Sequence, residues 1–360
     1  MARELAGAGA LGHYYSGYPS WKLGAADGVS LRVHSFRTNV VYGLHKFVPK
    51  RFRPSSRSLF LWQDRGFDRW VGAHLDADAD FVHAIPGQAL GTFRGARRLE
   101  VKTVLNHATG PVRDWVRIVE PEYERVGLNL TDHCPYDSEY FAREDEEYAL
   151  ADFHCAASTV VRDQLIARGL PRERIWVVPY GAESEIFHPG AEVPEEFRII
   201  FAGQVCLRKD LRTLLTALSL AGAAKWRVDF YGADYGECAQ DFAAYRGAVP
   251  LHFHGPVAQR ELAAAMRGGS VLVLPSLEEG FGLVVPQALN CGLPCVVSDR
   301  VGAKDFIRPR ENGSIFPVQN AEALAAELTW WAAHPKRVTE TFGWTEPARR
   351  LIALSNAALS

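Results

Sequence analysis

The feature that most constrains the fold of this chain is a series of short apolar strands that alternate with helical stretches. One such series lies in each half of the chain. In the first half, the predicted strands are residues 80–85, 101–105 and 175–178, and the predicted helices are residues 88–98 and 156–168. In the second half, strands are predicted at residues 198–202, 227–231, 251–253, 271–274 and 295–298, and helices at 211–220, 259–266, 283–291 and 321–331. Such alternation is typical of parallel sheets with crossover helices. We therefore predict an α/β chain with two Rossmann-like doubly wound domains that face a cleft.

The boundary between these domains is predicted at residues 188–194, which contain two prolines and a glycine and lack periodicity. This divides the chain into an amino-terminal domain, residues 1–187, and a second domain that begins at residue 188. A doubly wound domain normally opens with a strand and a glycine-rich turn. Residues 2–11 instead have a helical pattern, so the first strand of the amino-terminal domain is predicted to be missing.

Composition narrows the class of protein. The chain has 360 residues, of which 48% are hydrophobic and 23% charged, as in a folded, water-soluble protein. The net charge of -2 argues against a general nucleic-acid binder. Six scattered cysteines suit a reducing compartment, and we interpret Cys291 and Cys295 as core residues rather than zinc ligands. Neither a signal peptide nor an apolar run of about 18 residues is evident, so we expect a cytoplasmic protein.

The stretch from Leu274 to Ala288 is the most informative part of the sequence. It leads from a predicted strand through the Gly280-Phe281-Gly282 turn into a predicted helix. Glycines allow the backbone to approach a bound group closely, and a helix amino terminus supplies free N–H donors that suit a diphosphate. Glu279 precedes the turn and can accept hydrogen bonds from sugar hydroxyls. The alternative is that both glycines only shape the turn.

A second element follows the strand predicted at residues 198–202. The strand ends at Gly203, and a short loop then places Arg208 and Lys209 just before the next helix. Cations at a helix amino terminus oppose the helix dipole unless an anion lies between them. They could stabilise the negative charge of a bound diphosphate. The alternative is a solvated basic pair that forms an ion pair with Asp210.

Together these elements resemble glycosyltransferase family four, the retaining GT-B enzymes. Residues 253–257 are similar to the loop that contacts the nucleobase in that family, and residues 177–183, 296–299 and 311–316 are similar to other family segments. The resemblance implies a GT-B fold and a nucleotide-sugar co-substrate, with neither a metal nor another cofactor. It implies a donor site formed by Gly203, Arg208, Lys209, Val257, Glu279, Gly280, Phe281, Gly282, Leu283 and Gln287, with Glu279, Arg208 and Lys209 also catalytic.

Two positions depart from the family pattern. Gln287 stands where the family has a glutamate that binds the ribose, and Gln204 stands where a phosphate-binding arginine is common. An amide can still donate to and accept from ribose hydroxyls, so we expect an altered nucleotide preference rather than a loss of binding.

The acceptor side is predicted from His107, which follows the strand at residues 101–105. By resemblance, His107 is a catalytic residue that faces the cleft and contacts the donor sugar; the alternative is a loop histidine bonded to backbone groups. The resemblance also implies that residues 341–360, after a second domain of residues 188–340, form a final helix. That helix would cross back to the first domain, with Trp344 as its anchor, and hinge domain closure.

Residues 45–70 combine seven Lys/Arg with six large aromatic residues and two Asp. This composition suits peripheral contact with anionic lipid or with a lipid-diphosphate acceptor. The alternative is a solvated basic surface over core aromatics.

We therefore expect a retaining hexosyltransferase that uses a nucleotide-diphosphate sugar and a glycan or lipid-linked acceptor, in cell-surface polysaccharide or glycolipid synthesis. The alternatives are a catalytically inactive GT-B protein that binds partners or glycans and, third, a sugar-nucleotide epimerase.

Overall fold

The protein is described by a computed structural model that covers residues 1–23, 28–134, 136–190, 194–222 and 225–360. Its strands form one four-stranded sheet, one six-stranded sheet and one two-stranded pair, all parallel. The strands are β1 (Tyr14–Ser16), β2 (Leu31–Val33), β3 (Phe81–Ala84), β4 (Lys102–His107), β5 (Phe153–Ala156), β6 (Ile175–Val177), β7 (Phe197–Ala202), β8 (Trp226–Tyr231), β9 (Leu251–Gly255), β10 (Val271–Leu274), β11 (Cys295–Ser298) and β12 (Gly313–Phe316).

Helices connect these strands and cover the sheets. They are α1 (Ala2–Gly7), α2 (Phe36–Phe47), α3 (Ser56–Ala73), α4 (Leu90–Arg98), α5 (Val112–Arg125), α6 (Leu130–His133), α7 (Ser138–Leu150), α8 (Thr159–Ala167), α9 (Leu211–Ala221), α10 (Ala239–Ala244), α11 (Gln259–Arg267), α12 (Val284–Asn290), α13 (Ala321–Ala333) and α14 (Thr345–Leu359). None of these helices combines the length and the apolar character needed to cross a bilayer.

The two larger sheets have different strand orders. The four-stranded sheet has the sequential order β3-β4-β5-β6, and the six-stranded sheet has the order β12-β11-β10-β7-β8-β9. From β7 the chain therefore moves outward in one direction to β9, and from β10 it moves outward in the other to β12. Such a reversal leaves a crevice at the carboxyl ends of the two central strands, where ligands of doubly wound sheets commonly bind.

The predicted strands are confirmed, although four of the observed strands were not predicted. β1, β2, β5 and β12 were missed, and the helix predicted from residue 156 begins only at Thr159. Ala156 instead belongs to β5, where it pairs with His107 of β4. The Ser158 hydroxyl caps the helix by accepting from the N–H of Val161 at 3.2 Å, and a capping residue lies outside the helix that it starts.

Two further expectations concern the chain start and the linker. The predicted helix of residues 2–11 is shorter in the structure, because α1 ends at Gly7. The four-stranded sheet begins with β3, and the β1–β2 pair forms a separate sheet. Residues 188–190 and 194 of the linker lie between β6 and β7, whereas residues 191–193 are outside the described residues. The domain boundaries themselves stay predictions.

Two helices connect the halves of the chain. Leu351 of α14 packs with Val104 and Trp176 of the four-stranded sheet. In the opposite direction, Val119 and Tyr123 of α5 belong to the apolar core of the six-stranded sheet. Each sheet therefore buries apolar side chains from a helix of the other half.

Candidate functional site

The strand order places two loops side by side at the carboxyl edge of the six-stranded sheet. One loop follows β7 and begins at Gly203, and the other follows β10 and contains Glu279. The two loops are hydrogen-bonded, because the Leu277 N–H donates to the carbonyl of Arg208 at 2.9 Å. The two elements that sequence analysis selected independently therefore form one structural unit.

Arg208 and Lys209 converge on one carboxylate. Arg208 Nη1 lies 2.8 Å from Glu279 Oε2, and Lys209 Nζ contacts the same oxygen. Both cations lie on a single 3-10 turn, Leu207–Lys209, so adjacent residues direct two positive charges at one point. The alternative interpretation, an ion pair with Asp210, is not found among the described residues; Asp210 instead caps α9 by accepting from the N–H of Thr213.

The electrostatics of this cluster differ between its two glutamates. Burial by itself raises the pKa of the Glu279 carboxyl, but Lys209 and Arg208 outweigh it and hold that pKa below its ordinary value. Burial raises the pKa of Glu278, and Arg208 only partly opposes the rise. Glu279 is therefore ionised at neutral pH, and an incoming anion would compete with it for both cations.

The conformation of the Gly280-Phe281-Gly282 turn is fixed by the packing of its central residue and by its second glycine. Phe281 is buried and packs edge to face against Tyr180, with ring centroids 5.1 Å apart. Gly282 has a φ of +90°, which a residue with a Cβ rarely adopts. Among the described residues, the N–H groups of Gly282 and Leu283 have no hydrogen-bond acceptor. These two amides, at the entry to α12, are therefore available to an anion.

The glutamate loop also touches the first half of the chain. A Cβ on Gly280 would lie 2.4 Å from Thr109 Cα and 2.5 Å from the Ala108 carbonyl oxygen, so only glycine fits. The Ser158 hydroxyl donates to the Gly280 carbonyl at 2.6 Å. Sequence analysis did not assign Ser158 or loop 108–110 to this site, because both contacts join residues that are more than 100 positions apart.

His107 is placed differently from its prediction. It is the last residue of β4, rather than a loop residue facing the cleft, and it has no exposed surface. Its Nε2 lies 3.0 Å from Nδ1 of His154, whereas its Nδ1 has no partner among the described residues. Burial, with a smaller contribution from His154, lowers the pKa of His107 well below its usual value. The imidazole is therefore neutral and directly precedes the loop that meets Gly280.

The remaining predicted residues lie around this cluster. Gly203 adjoins Lys209, since a Cβ on this glycine would lie 3.4 Å from Lys209 Cε. Gln287 is buried in α12, and Val257 is half-buried in the loop after β9. No contact of Val257 or Gln287 with the cations is found among the described residues, so their nucleotide-binding roles stay predictions.

The cluster is compact rather than an open crevice. The Lys209 and Glu278 side chains are almost fully buried, whereas Arg208 and Glu279 expose 22% and 17% of theirs. A depression of about 480 Å³ lies elsewhere, between β6 and α14, and is lined by residues such as Trp176 and Arg350. Arg208 and Glu279 are therefore the members of the cluster that solvent reaches.

Asp210 provides a test of the local electrostatics. Its side chain is buried, its Oδ2 lacks a partner among the described residues, and burial raises its pKa to about 6. Between about pH 4 and pH 6 the folded state holds a proton that the unfolded state has lost, so this group lowers the stability as pH rises through that window. The Asp210→Asn variant cannot ionise, yet its side-chain carbonyl can still accept from Thr213.

We expect the melting temperature of Asp210→Asn, relative to wild type, to increase between pH 4 and pH 6 and then to remain constant. Each unit by which the pKa of Asp210 is higher in the folded than in the unfolded state corresponds to about 1.4 kcal/mol in the free energy of unfolding. The increase in stability of the variant relative to wild type cannot exceed this amount per unit. Thermal melts of both proteins in the same buffers measure this difference, which cancels the titration of other groups. A difference independent of pH would contradict the raised pKa of Asp210.

The sequence of this chain is similar to the sequences of known proteins. Residues 196–334 match the family model described as glycosyl transferases group 1. A GDP-mannose-dependent alpha-mannosyltransferase of Mycobacterium tuberculosis is 30% identical over 302 residues, which cover 81% of this chain and 73% of that protein. A D-inositol 3-phosphate glycosyltransferase of Catenulispora acidiphila is 30% identical over 251 residues, which cover 61% of this chain and 60% of that protein.

Among solved structures, the apo form of the lipopolysaccharide outer core galactosyltransferase WaaB is similar to this protein. The TM-score is 0.61 at 15% identity, and the match covers 92% of this chain and 85% of that chain. Similarity at this level of identity shows a shared fold, which is the two-domain GT-B architecture.

Proposed function

Because the chain belongs to the group 1 glycosyltransferase family and has the GT-B fold, we propose that it transfers a sugar from a nucleotide-diphosphate sugar to an acceptor. The observation that carries this proposal is the convergence of Arg208 and Lys209 on Glu279 beside the Gly280-Phe281-Gly282 turn. Two cations and two free amides on adjacent loops form a site for one diphosphate.

In the proposed mechanism, the donor diphosphate replaces the Glu279 carboxylate as the partner of both cations. Glu279 then accepts hydrogen bonds from hydroxyls of the donor sugar. As the glycosidic bond breaks, negative charge accumulates on the leaving phosphate, where Arg208 and Lys209 stabilise it more strongly than in the ground state. These cations supply the charge that a metal ion would otherwise provide, so we propose transfer without a metal.

We further propose that the anomeric configuration is retained. The acceptor hydroxyl would attack from the side of the leaving phosphate and pass its proton to that phosphate. His107 stays a proposed contact of the donor sugar. Its position just before the 108–110 loop supports this role, and its complete burial means that the loop must move before the imidazole can touch a sugar.

The acceptor and the nucleobase are proposed from the family and from sequence. A hexose transferred to a glycan or lipid-linked acceptor, in cell-surface polysaccharide or glycolipid synthesis at the cytoplasmic face of a membrane, is consistent with the resemblance. The relatives named above differ in the donor or acceptor for which they are named, and Gln287, in place of a glutamate, is expected to alter the nucleotide preference. Val257 and Gln287 are the proposed contacts of the nucleobase and ribose.

The test is the slow release of nucleoside diphosphate from donor sugars without acceptor. Purified protein is incubated separately with UDP-glucose and GDP-mannose, and the free nucleotide is measured. We expect release with at least one donor, and a decrease of about 10²–10³-fold in Lys209→Ala or Glu279→Ala, as for loss of one group that stabilises a transition state. Proton NMR of the sugar that is released first shows whether it has the anomeric configuration of the donor, which tests retention.

Lys225→Ala is the matched control, because Lys225 is an exposed lysine of the same half of the chain. This variant should release nucleotide at the wild-type rate. Equal background rates in wild type, Lys209→Ala and Lys225→Ala would overturn the proposal and favour a GT-B protein that only binds its partners.

A further inference from the structure

The amino-terminal part of the chain exposes an unusual number of aromatic rings. Trp21, Phe36, Phe47, Phe52 and Trp62 are all exposed, and Trp21 and Phe47 each expose 76% of their surface. The sequence left open whether the aromatics of residues 45–70 are core residues or surface residues. The exposed rings favour the second possibility, and they extend the region back to residue 21. We name these five rings and their neighbouring cations the aromatic-basic surface.

Most of these rings are accompanied by a cation. Lys46 Nζ lies 5.2 Å from the ring centroid of Phe47, and the Arg51 guanidinium carbon lies 4.8 Å from that of Phe52. The Arg37 guanidinium carbon lies 4.5 Å from the Trp62 centroid. Within the part of the chain that the structure describes, Lys46 and Arg51 form no ion pair with a carboxylate. Their charge is therefore available to a partner.

Contacts between the elements make this one surface. Lys22, in the turn before β2, lies over the ring of Tyr42 in α2 at 3.8 Å. Arg37 of α2 donates to the carbonyl of Trp62 in α3 at 2.9 Å. Because α2 contacts both neighbours, the exposed rings belong to a continuous region.

The positive charge of this region indicates an anionic partner. Residues 14–62 contain eight Lys/Arg and one acidic residue, Asp27, which lies outside the described residues. Arg32 forms an ion pair with Asp76 and Arg57 with Asp137, so these two of the eight cations belong to the protein body rather than to the free surface. Rings flanked by unpaired cations suit a bilayer interface, where the rings enter the boundary of the acyl chains and the cations meet lipid phosphates.

We infer that the aromatic-basic surface docks the protein on a bilayer that contains anionic lipid. This inference extends the proposed function by naming the surface that brings the enzyme to a lipid-linked acceptor, but lipid binding itself does not require activity. The binding depends on both rings and charges, so it should weaken with rising salt and with loss of either component.

The experiment is co-sedimentation of the full chain with phosphatidylcholine vesicles, with and without phosphatidylglycerol. We expect binding to the anionic vesicles only. Lys46→Gln/Arg51→Gln should weaken vesicle binding by at least about tenfold, because it removes two cations that attract the anionic lipid headgroups. Phe47→Ser/Phe52→Ser should weaken it similarly, and both exposed rings can be replaced without a cavity in the core.

Leu220→Ser/Tyr235→Ser is the control, because these two exposed apolar residues lie in the second half of the chain. It should bind vesicles as wild type does, and all three double variants should release nucleotide at the wild-type rate. That rate separates a failure of docking from a failure of the proposed catalysis. Equal binding of wild type and both surface variants would overturn the inference. Self-association lost in the surface variants, without vesicle binding by wild type, would assign the surface to a second copy and overturn it as well.

Discussion

Replacing Gly280 with alanine should abolish most of the nucleotide release. The new Cβ would lie 2.4 Å from Thr109 Cα and 2.5 Å from the Ala108 carbonyl oxygen, and backbone atoms of a packed loop cannot rotate away from it. The 108–110 loop and the glutamate loop would have to separate. Because Glu279 directly precedes Gly280, we expect a decrease of about 10²-fold, as for a displacement of about 1 Å at a reacting centre.

Gly43→Ala is the matched control for this substitution. Gly43 lies in α2, and a Cβ there meets no atom within 4 Å. This variant should retain the wild-type rate of release and melt at or slightly above the wild-type temperature, because alanine favours a helix interior over glycine by about 0.5–1 kcal/mol. If Gly280→Ala also matched wild type in both measurements, the contact between loops 108–110 and 278–280 would be unnecessary for the reaction.

The second large effect is expected in α5. Arg125 donates to both oxygens of Asp241 at 2.8 and 2.9 Å, and Asp241 is buried. Asp241→Ala leaves the guanidinium with Glu122 alone, and we expect a loss of about 1.5–3 kcal/mol in the free energy of unfolding, as for a hydrogen bond to a charged group. Urea unfolding at neutral pH measures this loss.

A double variant separates the ion pair from simple truncation. Arg125→Met/Asp241→Ala should lose less free energy of unfolding than the sum of the losses in Arg125→Met and Asp241→Ala, because each single substitution already breaks the same ion pair. The contrary result, in which the double variant is less stable by the sum of both single effects, would show that the two residues contribute independently.

The packing of α5 bears on domain motion. Val119 and Tyr123 are buried in the core of the six-stranded sheet, and the Tyr123 hydroxyl donates to Glu237 at 2.8 Å. If the two halves of the chain separate, either α5 stays with the second half or the buried surfaces of Val119 and Tyr123 become exposed to water. The resemblance implied a hinge at the final helix, and it contained no sign of this second connection.

Much of the candidate site could be predicted from sequence because its elements are local. A strand, a glycine and a short basic loop occupy residues 198–209, and a strand, a glutamate and a Gly-x-Gly turn occupy residues 271–282. Hydrophobic runs and turn residues report local structure directly. β5 (Phe153–Ala156) and β12 (Gly313–Phe316) were missed because they mix polar or small residues with apolar ones and contain a single β-branched residue between them, so they lack the apolar, β-branched run that indicates a buried strand.

By itself, the sequence determined the alternation of strands and helices and the positions of both donor-site loops, because these depend on neighbouring residues. Only the tertiary structure decided that Gly280 touches Thr109, that His107 is buried against His154, and that α5 packs on the opposite sheet. Each of these depends on residues separated by many positions along the chain. Local propensity carries no information about such contacts, since they exist only once the sheets have formed and packed.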